Sequence, residues 1–534
     1  MNAAVRAFEL LVIPLCIVAL AWEPNFAHGF INYNESGQHL AAMRELANGK
    51  LLFRDIFGQY GALHYFVPYW ATGVFGESIT TLRGYFLWGE IAGFLAALGL
   101  ARALIKNRLF ANAAAIAVVV FAHHPFWSTR WGGFRFAFVY LSIWCLVAAL
   151  RQPGSRALVL AGMMAALAFL HTYDAGAAAG LAGLMYFAHA AFTGRWVGRE
   201  LAAYALGLAT MLVPFAVYLL ATETLGDYLA QVPLFNPGRA WVQPIGRGAV
   251  TATVMAPAVI YCLALAYLAR QALARRWSTG EHLPVLLAVA PGIVLYAAAF
   301  RAISGPQFET SLPLAVLTLF FLMSRGFASF ERMSVESADR VQGWFGFAFV
   351  LLAMVSFAGA EIRTYRGGLV QWASYQANKG SLVARHSGAN PLDAAYVALS
   401  VEGAQGTRVP AKQAAEIEEI TRYLIETTAA DDAMLAFPDL GIFNYFAARP
   451  HATPFTIAIL AAADEEWSEG LAGVVRERKP AVVLLGNQLS TLARATGKSS
   501  EYLPEIRELV RESYILERHF ERLDVYRLHK GSAL

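Results

Sequence analysis

The sequence predicts a polytopic α-helical membrane protein of about eleven transmembrane helices, ending in an extracytoplasmic α/β domain. Three observations predict it. Only 15% of the 534 residues are charged and 57% are hydrophobic, where a soluble protein carries about a quarter charged. Apolar runs long enough to cross a bilayer recur up to residue 360, and mean hydropathy is +0.46. From about residue 411 the pattern becomes that of amphipathic helices alternating with short apolar strands.

The spans are expected near 7–26, 82–104, 109–122, 133–150, 156–171, 175–192, 200–221, 248–269, 282–300, 307–324 and 341–360. The connections between them alternate in charge. One set carries Arg6, Arg102, Lys106, Arg108, Arg151, Arg156, Arg195, Arg199, Arg270, Arg275, Arg276, Arg325, Arg332 and Arg340. The other set of short loops carries only Arg130, Arg239, Arg247 and Arg301. Retention of basic loops on the cytoplasmic side puts the N-terminus inside and the second set outside. An odd number of spans then puts the C-terminal domain outside too. Arg6 before "LLVIPLCIVALAW" has the look of a signal peptide, but no small-x-small cleavage site follows, so a retained first helix is expected.

The first long loop, 27–81, is then extracytoplasmic. Within it "ESGQHLAAMRELANG" sets Leu40, Met43, Leu46 and Ala47 at helical spacing, with Glu35 near the start and Asn48-Gly49 as the stop. "GALHYFVPYWATGVFG" is too short and too rich in Trp and Tyr to span, and suits the membrane interface. Residues 361–410 read as linker and irregular structure. Residues 411–534 follow as helix "AKQAAEIEEITRYLIETT", strand "AMLAF", helix "DEEWSEGLAGVVRER", strand "AVVLLG", helix "EYLPEIRELVRES" and the hairpin "YILERHFERLDVYRL". The domain holds no GxGxxG, P-loop or GxSxG.

Composition excludes some classes. A net charge of +4 makes no case for nucleic acid. Cys16, Cys145 and Cys262 each lie in an apolar run, with no spacing for a disulfide frame or a zinc site. The remaining polar residues gather on the outer loops. Glu35, His39, Arg54, Asp55, His64 and Arg83 flank the first, His123, His124 and Arg130 come from the second, and His171 and Asp174 from the third; Arg239 and Arg301 follow. Carboxylates and isolated arginines collected at one membrane face suit group transfer from a lipid-anchored phosphate donor. A carboxylate takes the proton of an acceptor hydroxyl, and cations stabilise the departing phosphate. Glu35 fits the first role; Arg83, Arg130 or Arg301 fit the second, and aromatics such as Tyr60 beside His64 suit a sugar face or a lipid tail. Glu90, inside a span, is an intramembrane acid.

The bland readings differ by residue. A helix start favours an acid at Glu35 without any function. Asp55 can cap its loop or pair with Arg54, Asp174 can cap the helix that follows, and Arg83 can snorkel.

The stretch "NESGQHLAAMRELANGKLLFRDIFGQYGALHYFVPYWATGVFGESITTLRG" resembles the first outer loop of the integral-membrane GT-C glycosyltransferases. The branch it resembles contains protein mannosyltransferases, aminoarabinose lipid A transferases and rhizobial core-lipopolysaccharide transferases. The resemblance runs through Asn34-Glu35, Gly49, Phe53-Arg54-Asp55, Tyr65-Phe66, Phe75-Gly76-Glu77-Ser78 and Arg83. "MLAFPDLGIFNYFAARPHATPF" is similar to the outer domain of that group. The resemblance implies transfer of a sugar, with inversion, from a polyprenyl-phosphate donor to a lipid, glycan or protein acceptor. It implies Glu35 as base, Arg83 on the phosphate and Asp174 as an assisting acid; the residues themselves add Asp55 as a further candidate acid and Arg130, Arg301, His64 and Tyr60 as candidate substrate contacts. One position departs: where the group begins with Asp this chain has Asn34, so either Glu35 substitutes or the site is altered. No cofactor is implied with certainty; some members use a divalent ion, and Glu35 with Asp174 is a pair able to hold one. Ala- and Arg-rich usage points to a bacterial inner membrane.

Two other readings compete. A transporter predicts inverted repeats and several intramembrane charges. A non-catalytic anchor for the outer domain leaves the first-loop pattern without a purpose.

Overall fold

The computed structural model describes residues 7–122, 134–152, 154–194, 197–232, 252–299, 305–333, 376–377, 396–456, 465–486 and 504–529. A π-turn (Phe8–Val12) leads into α1 (Ile13–Ala21), followed by α2 (Tyr33–Ala47), α3 (Leu63–Phe75), α4 (Ile79–Leu104), α5 (Arg108–Ala122) and α6 (Phe134–Arg151). Then come α7 (Ser155–His171), α8 (Tyr173–Phe192), α9 (Gly198–Ala221), α10 (Leu225–Gln231), α11 (Ala252–Leu273), α12 (Thr279–Ala299) and α13 (Gly305–Met333). The remaining elements are β1 (Tyr396–Ala398), β2 (Arg408–Pro410), α14 (Ala411–Thr427), β3 (Met434–Phe437), α15 (Ile442–Ala447), α16 (Glu465–Arg478), β4 (Val482–Gly486), α17 (Pro504–Ser513), β5 (Tyr514–His519) and β6 (Leu523–Leu528).

The chain divides into two compact units. The first comprises Met1–Pro24, Phe86–Pro214 and Arg247–Gly380; the second comprises Asn25–Tyr85, Phe215–Gly246 and Ser381–Leu534.

The first unit is a helical membrane body. Among the described residues seven helices are long and apolar enough to cross a membrane: α4, α6, α8, α9, α11, α12 and α13. Shorter apolar helices occupy Glu9–Ala21, Arg108–Ala122 and Ser155–His171, where spans were also expected. The expected span at 341–360 lies outside the described residues. Small residues let the helices approach, as membrane packing requires. Gly162 of α7 faces α9, where an added Cβ would lie 2.1 Å from the Tyr204 carbonyl oxygen. Gly207 of α9 faces back, 2.0 Å from the Val159 carbonyl oxygen. The Ser142 hydroxyl of α6 donates to the Ala161 carbonyl at 3.1 Å, closing a polar group that lipid could not satisfy. Lys106 and Arg325 both pair with Glu281, so three charges from connections of the basic set meet at one end. Cys16, Cys145 and Cys262 are all free.

The second unit joins the first long loop to the C-terminal domain. Its four-stranded sheet runs β3-β4-β6-β5, with β3 and β4 parallel and the other pairings antiparallel. α16 makes the crossover between β3 and β4. Leu435, Phe437, Val483 and Leu485 of the sheet bury against Leu471 and Val475 of α16 and Ile506, Leu509 and Val510 of α17. The helices and strands expected after residue 411 all form. The stretch expected to be irregular contains the antiparallel pair β1–β2 at its end, Val397 opposite Val409.

α2 stops where the sequence says it should: Gly49 has φ +81°, a left-handed conformation that glycine adopts freely. Its burial is broader than the expected stripe. Leu40, Met43 and Leu46 are buried as expected, but so are Gln38, His39 and Glu45, while Ala47 is exposed. The reason is that α2 is packed on several sides by its own unit. Gly37 meets α15, where a Cβ would stand 2.9 Å from the Ile442 nitrogen. No bulkier residue fits that approach without moving a backbone.

Candidate active site

α2 carries Glu35 in its first turn; the side chain of Glu35 lies outside the described residues. What fixes its helix is well defined. The Ile31 N–H donates to Gln413 Oε1 at 2.9 Å, and Gln413 Nε2 returns a bond to the Ile31 carbonyl at 2.7 Å. The Tyr33 hydroxyl donates to Glu416 Oε2 at 3.1 Å, and its ring stands edge-on to Phe443 at 5.3 Å. Burial pushes the Tyr33 phenol well above its ordinary range. Further along, Arg44 pairs with Glu77 and lies over the Tyr445 ring, 4.9 Å from its centroid. Glu45 accepts the His451 N–H at 3.0 Å. Burial raises the Glu45 carboxyl above the usual range, and the His451 bond opposes that rise. The helix start is therefore held by α14, its middle by α15, and its end by the loop after α15.

Arg83 completes this arrangement. Its guanidinium, 8% exposed, donates to the carbonyls of Ala27 at 3.1 Å, His28 at 2.9 Å and Phe30 at 3.0 Å. Donors expected to face a phosphate face the turn that leads into α2.

A buried aromatic and imidazole cluster lines the other side of α2. His39 lies 4.8 Å from His64, 6.4 Å from Tyr60 and 6.1 Å from Tyr65, ring to ring, and Tyr60 lies 4.4 Å from His64. Gln38 Nε2 donates to the Tyr65 hydroxyl at 3.3 Å and to Gln59 Oε1 at 3.1 Å. Burial lowers the His39 imidazole to about 4, so it is neutral at pH 7. Burial also drives the Tyr65 phenol upward. Of the expected substrate contacts, the structure brings together Tyr60 and His64.

Asp55 closes its own loop: its Oδ2 accepts the Leu51 N–H at 2.9 Å, and its N–H returns a bond to the Leu51 carbonyl at 2.9 Å. Arg54 pairs instead with Asp227 at 3.3 Å and donates to the Glu223 carbonyl. The turn between them places Phe53 at φ +76°, its ring against Tyr228 at 4.9 Å. Asp174 belongs to the first unit. It is in the first turn of α8 and accepts the Ala175 N–H, while the cap position is Thr172. Arg130, Arg239 and Arg301 lie outside the described residues, as do His123 and His124. Among the described residues no three His, Cys, Asp or Glu side chains converge as a metal site.

Sequence reasoning passed over several buried charges, Glu9 of the first apolar run among them. Glu23, at the end of the first apolar run, is wholly buried. Arg135, 4% exposed, lies inside the span expected at 133–150. All are charged residues in or beside apolar runs, and that rarity was the available signal.

No protein-family model matches the chain, and no curated protein matches it in sequence. Solved structures do. The chain is similar to ArnT from Cupriavidus metallidurans bound to undecaprenyl phosphate, at 12% identity and TM-score 0.53, over 98% of this chain and 99% of that one. It is also similar to the Archaeoglobus fulgidus oligosaccharyltransferase tethered with an acceptor peptide, at 13% identity and TM-score 0.53, over 99% of this chain and 74% of that one. AglB of the same organism, in complex with an inhibitory peptide and a dolichol-phosphate, matches at 13% identity and TM-score 0.51, over 99% and 75%. The chain has the GT-C fold. Identities this low speak to the fold alone, but the GT-C likeness runs nearly end to end. It takes in the first loop and the C-terminal sheet as well as the membrane helices.

Proposed function

We propose that this GT-C protein is a glycosyltransferase that moves a sugar from a polyprenyl-phosphate donor to a lipid, glycan or protein acceptor on the extracytoplasmic face of a bacterial inner membrane. The observation that carries the proposal is the fixing of α2. A helix with an acid in its first turn is held at its start, middle and end by one folded unit, within a fold shared with proteins bound to undecaprenyl phosphate and dolichol-phosphate. Such rigidity is what a base needs if it is to meet an acceptor hydroxyl in one geometry.

In the proposed step Glu35 takes the acceptor's hydroxyl proton as that oxygen attacks the anomeric carbon. The bond from that carbon to the phosphate oxygen breaks with inversion, and polyprenyl phosphate leaves with the electron pair. Asp55 and Arg83 act as positioning residues through the loop and turn they close. Tyr60 and His64 offer adjacent, mutually tilted rings for a sugar face or a lipid tail. Asp174 is kept as a second acid.

The test is transfer of radiolabelled sugar from cellular polyprenyl-phosphate donors to endogenous acceptors, in membranes with wild-type protein or Glu35→Gln. Losing a proton-transfer group costs roughly a hundredfold to ten-thousandfold in rate, so the variant's product should vanish at equal protein level. Transfer that survives Glu35→Gln removes Glu35 as base. A parallel run with chelator reports whether a divalent ion takes part.

A further inference from the structure

The membrane unit contains a buried cation that its own described residues leave without a counter-charge. Arg135 sits in the first turn of α6 among Phe134, Phe136, Ala137 and Phe138, and is 4% exposed. Among the described residues it has no ion pair, and its Nε has no hydrogen-bond partner. Its guanidinium carbon stands 4.3 Å from the ring centroid of the adjacent Phe136. α6 and α7 are joined by three residues, 152–154, which makes them an antiparallel hairpin, so the start of α6 and the end of α7 share one end.

Two more polar groups are buried at that end. His171, the last residue of α7, is 2% exposed and packs its ring on Phe138 at 5.1 Å. Its Nδ1 lies 2.9 Å from the Leu167 carbonyl oxygen, so Nδ1 carries the proton. Nε2 is then a lone pair, buried and without a partner among the described residues. Thr172, also 2% exposed, occupies the cap position of α8, but among the described residues its hydroxyl makes no cap bond and has no other partner.

A guanidinium withdrawn from water is strongly unfavourable unless it is paired, and an apolar residue would suit this position better. Donors on Arg135 and Thr172 together with an acceptor on His171 match one common chemistry. A phosphate monoester has oxygens for the donors and, in its monoanion, an O–H for the imidazole lone pair. A diester lacks that O–H.

We infer that this end of the α6–α7 hairpin is an anion site for a phosphate monoester, held by Arg135, His171 and Thr172. The site is read from these three side chains. That its occupant is the polyprenyl phosphate left after transfer rests on the function proposed above.

The experiment uses the full chain in phosphatidylcholine nanodiscs, with undecaprenyl phosphate, inorganic phosphate and phosphatidylglycerol as probes read by native mass spectrometry. Undecaprenyl phosphate should bind, with phosphatidylglycerol a poor competitor. Arg135→Gln should weaken binding by about tenfold to hundredfold, the range of a charge-assisted hydrogen bond. His171→Phe, which keeps the ring contact, and Thr172→Val should each weaken it less. The ligand-free melting temperature of Arg135→Gln should equal or exceed that of wild type, because a buried charge that no described residue pairs has gone.

Displacement by inorganic phosphate assigns a free-phosphate occupant, and resistance to it a lipid one; both uphold the anion site. Unchanged affinity in Arg135→Gln, or a lowered ligand-free melting temperature, overturns it. Arg135-dependent binding in a chain that transfers no sugar leaves the site standing and removes the enzymatic reading.

Discussion

His39 makes the second unit acid-sensitive in a way that one substitution isolates. The imidazole is 3% exposed, ringed by His64, Tyr60 and Tyr65, and burial sets its folded pKa at about 4 against 6.5 for a free histidine. A depressed folded value means that the unfolded chain takes up the proton first. The stability is present above pH 6.5 and is lost as pH falls towards 4. Between pH 7 and pH 5 the loss is roughly 2 kcal/mol from this one group, taking 1.36 kcal/mol per pKa unit. His451, also lowered to about 4 by burial, adds a similar loss. Asp439 acts oppositely: burial raises it to about 6, so its contribution falls as pH rises between about 4 and 6. Both of these are common to wild type and variant and cancel in the comparison.

In His39→Gln the protection of the 33–47 and 59–66 segments should therefore fall less steeply with acid. Hydrogen-exchange mass spectrometry, corrected for intrinsic rates, should show the gap between wild type and variant moving by roughly thirtyfold from pH 7 to pH 5, which is the same 2 kcal/mol as a ratio. Parallel loss of protection in the two proteins would mean that His39 carries its proton in the folded state, and the burial argument would be wrong.

Two further substitutions probe the frame of each unit. Arg83→Met strips the donor from three carbonyls at 27, 28 and 30, and should cost about 2–4 kcal/mol, seen as faster exchange in that turn and reduced transfer; undiminished exchange protection would show that the turn holds itself. Gly162→Leu drives a side chain into the Tyr204 carbonyl, 2.1 Å from the new Cβ, and should lower the melting temperature through a loss of about 1–3 kcal/mol or more; a melt equal to wild type would mean that α7 and α9 do not cross there.

What the sequence made legible was local. The stop at Asn48-Gly49, the runs "AMLAF" and "AVVLLG" as buried strands, and the helix "PEIRELVRES" all follow from propensity and periodicity within one element. What escaped it was non-local. The Ile31–Gln413 pair closes across 382 residues, and no window of sequence contains both ends. The cap of α8 was expected at Asp174, since an acid at a helix start is a common cap; the backbone instead leaves the helix at Thr172. The three carbonyls that Arg83 bonds were not foreseen, because sequence gives a residue's charge but not its direction. Arg135 was absorbed into an apolar run because averaging over a span hides a single charge.

The first loop and the C-terminal domain were expected as separate pieces, and their union bears on function. The helix that carries Glu35 packs on one side against its own loop, at Gln59, His64, Tyr65 and Glu77, and is clasped along its length by the C-terminal domain. Its start bonds to Gln413 and Glu416, its middle meets Ile442, and its end bonds to His451. A domain that was cargo on an inert anchor would have no reason to clasp an acid-bearing helix of the anchor at three levels. A domain that serves to hold a base in place would do so. The same contacts explain why the loop is so polar: Gln38, His39 and Glu45 are interior residues of a folded outer unit rather than the solvated face of a surface helix. The polar interruption in an otherwise apolar chain is thus half of a folded body whose other half lies nearly four hundred residues downstream.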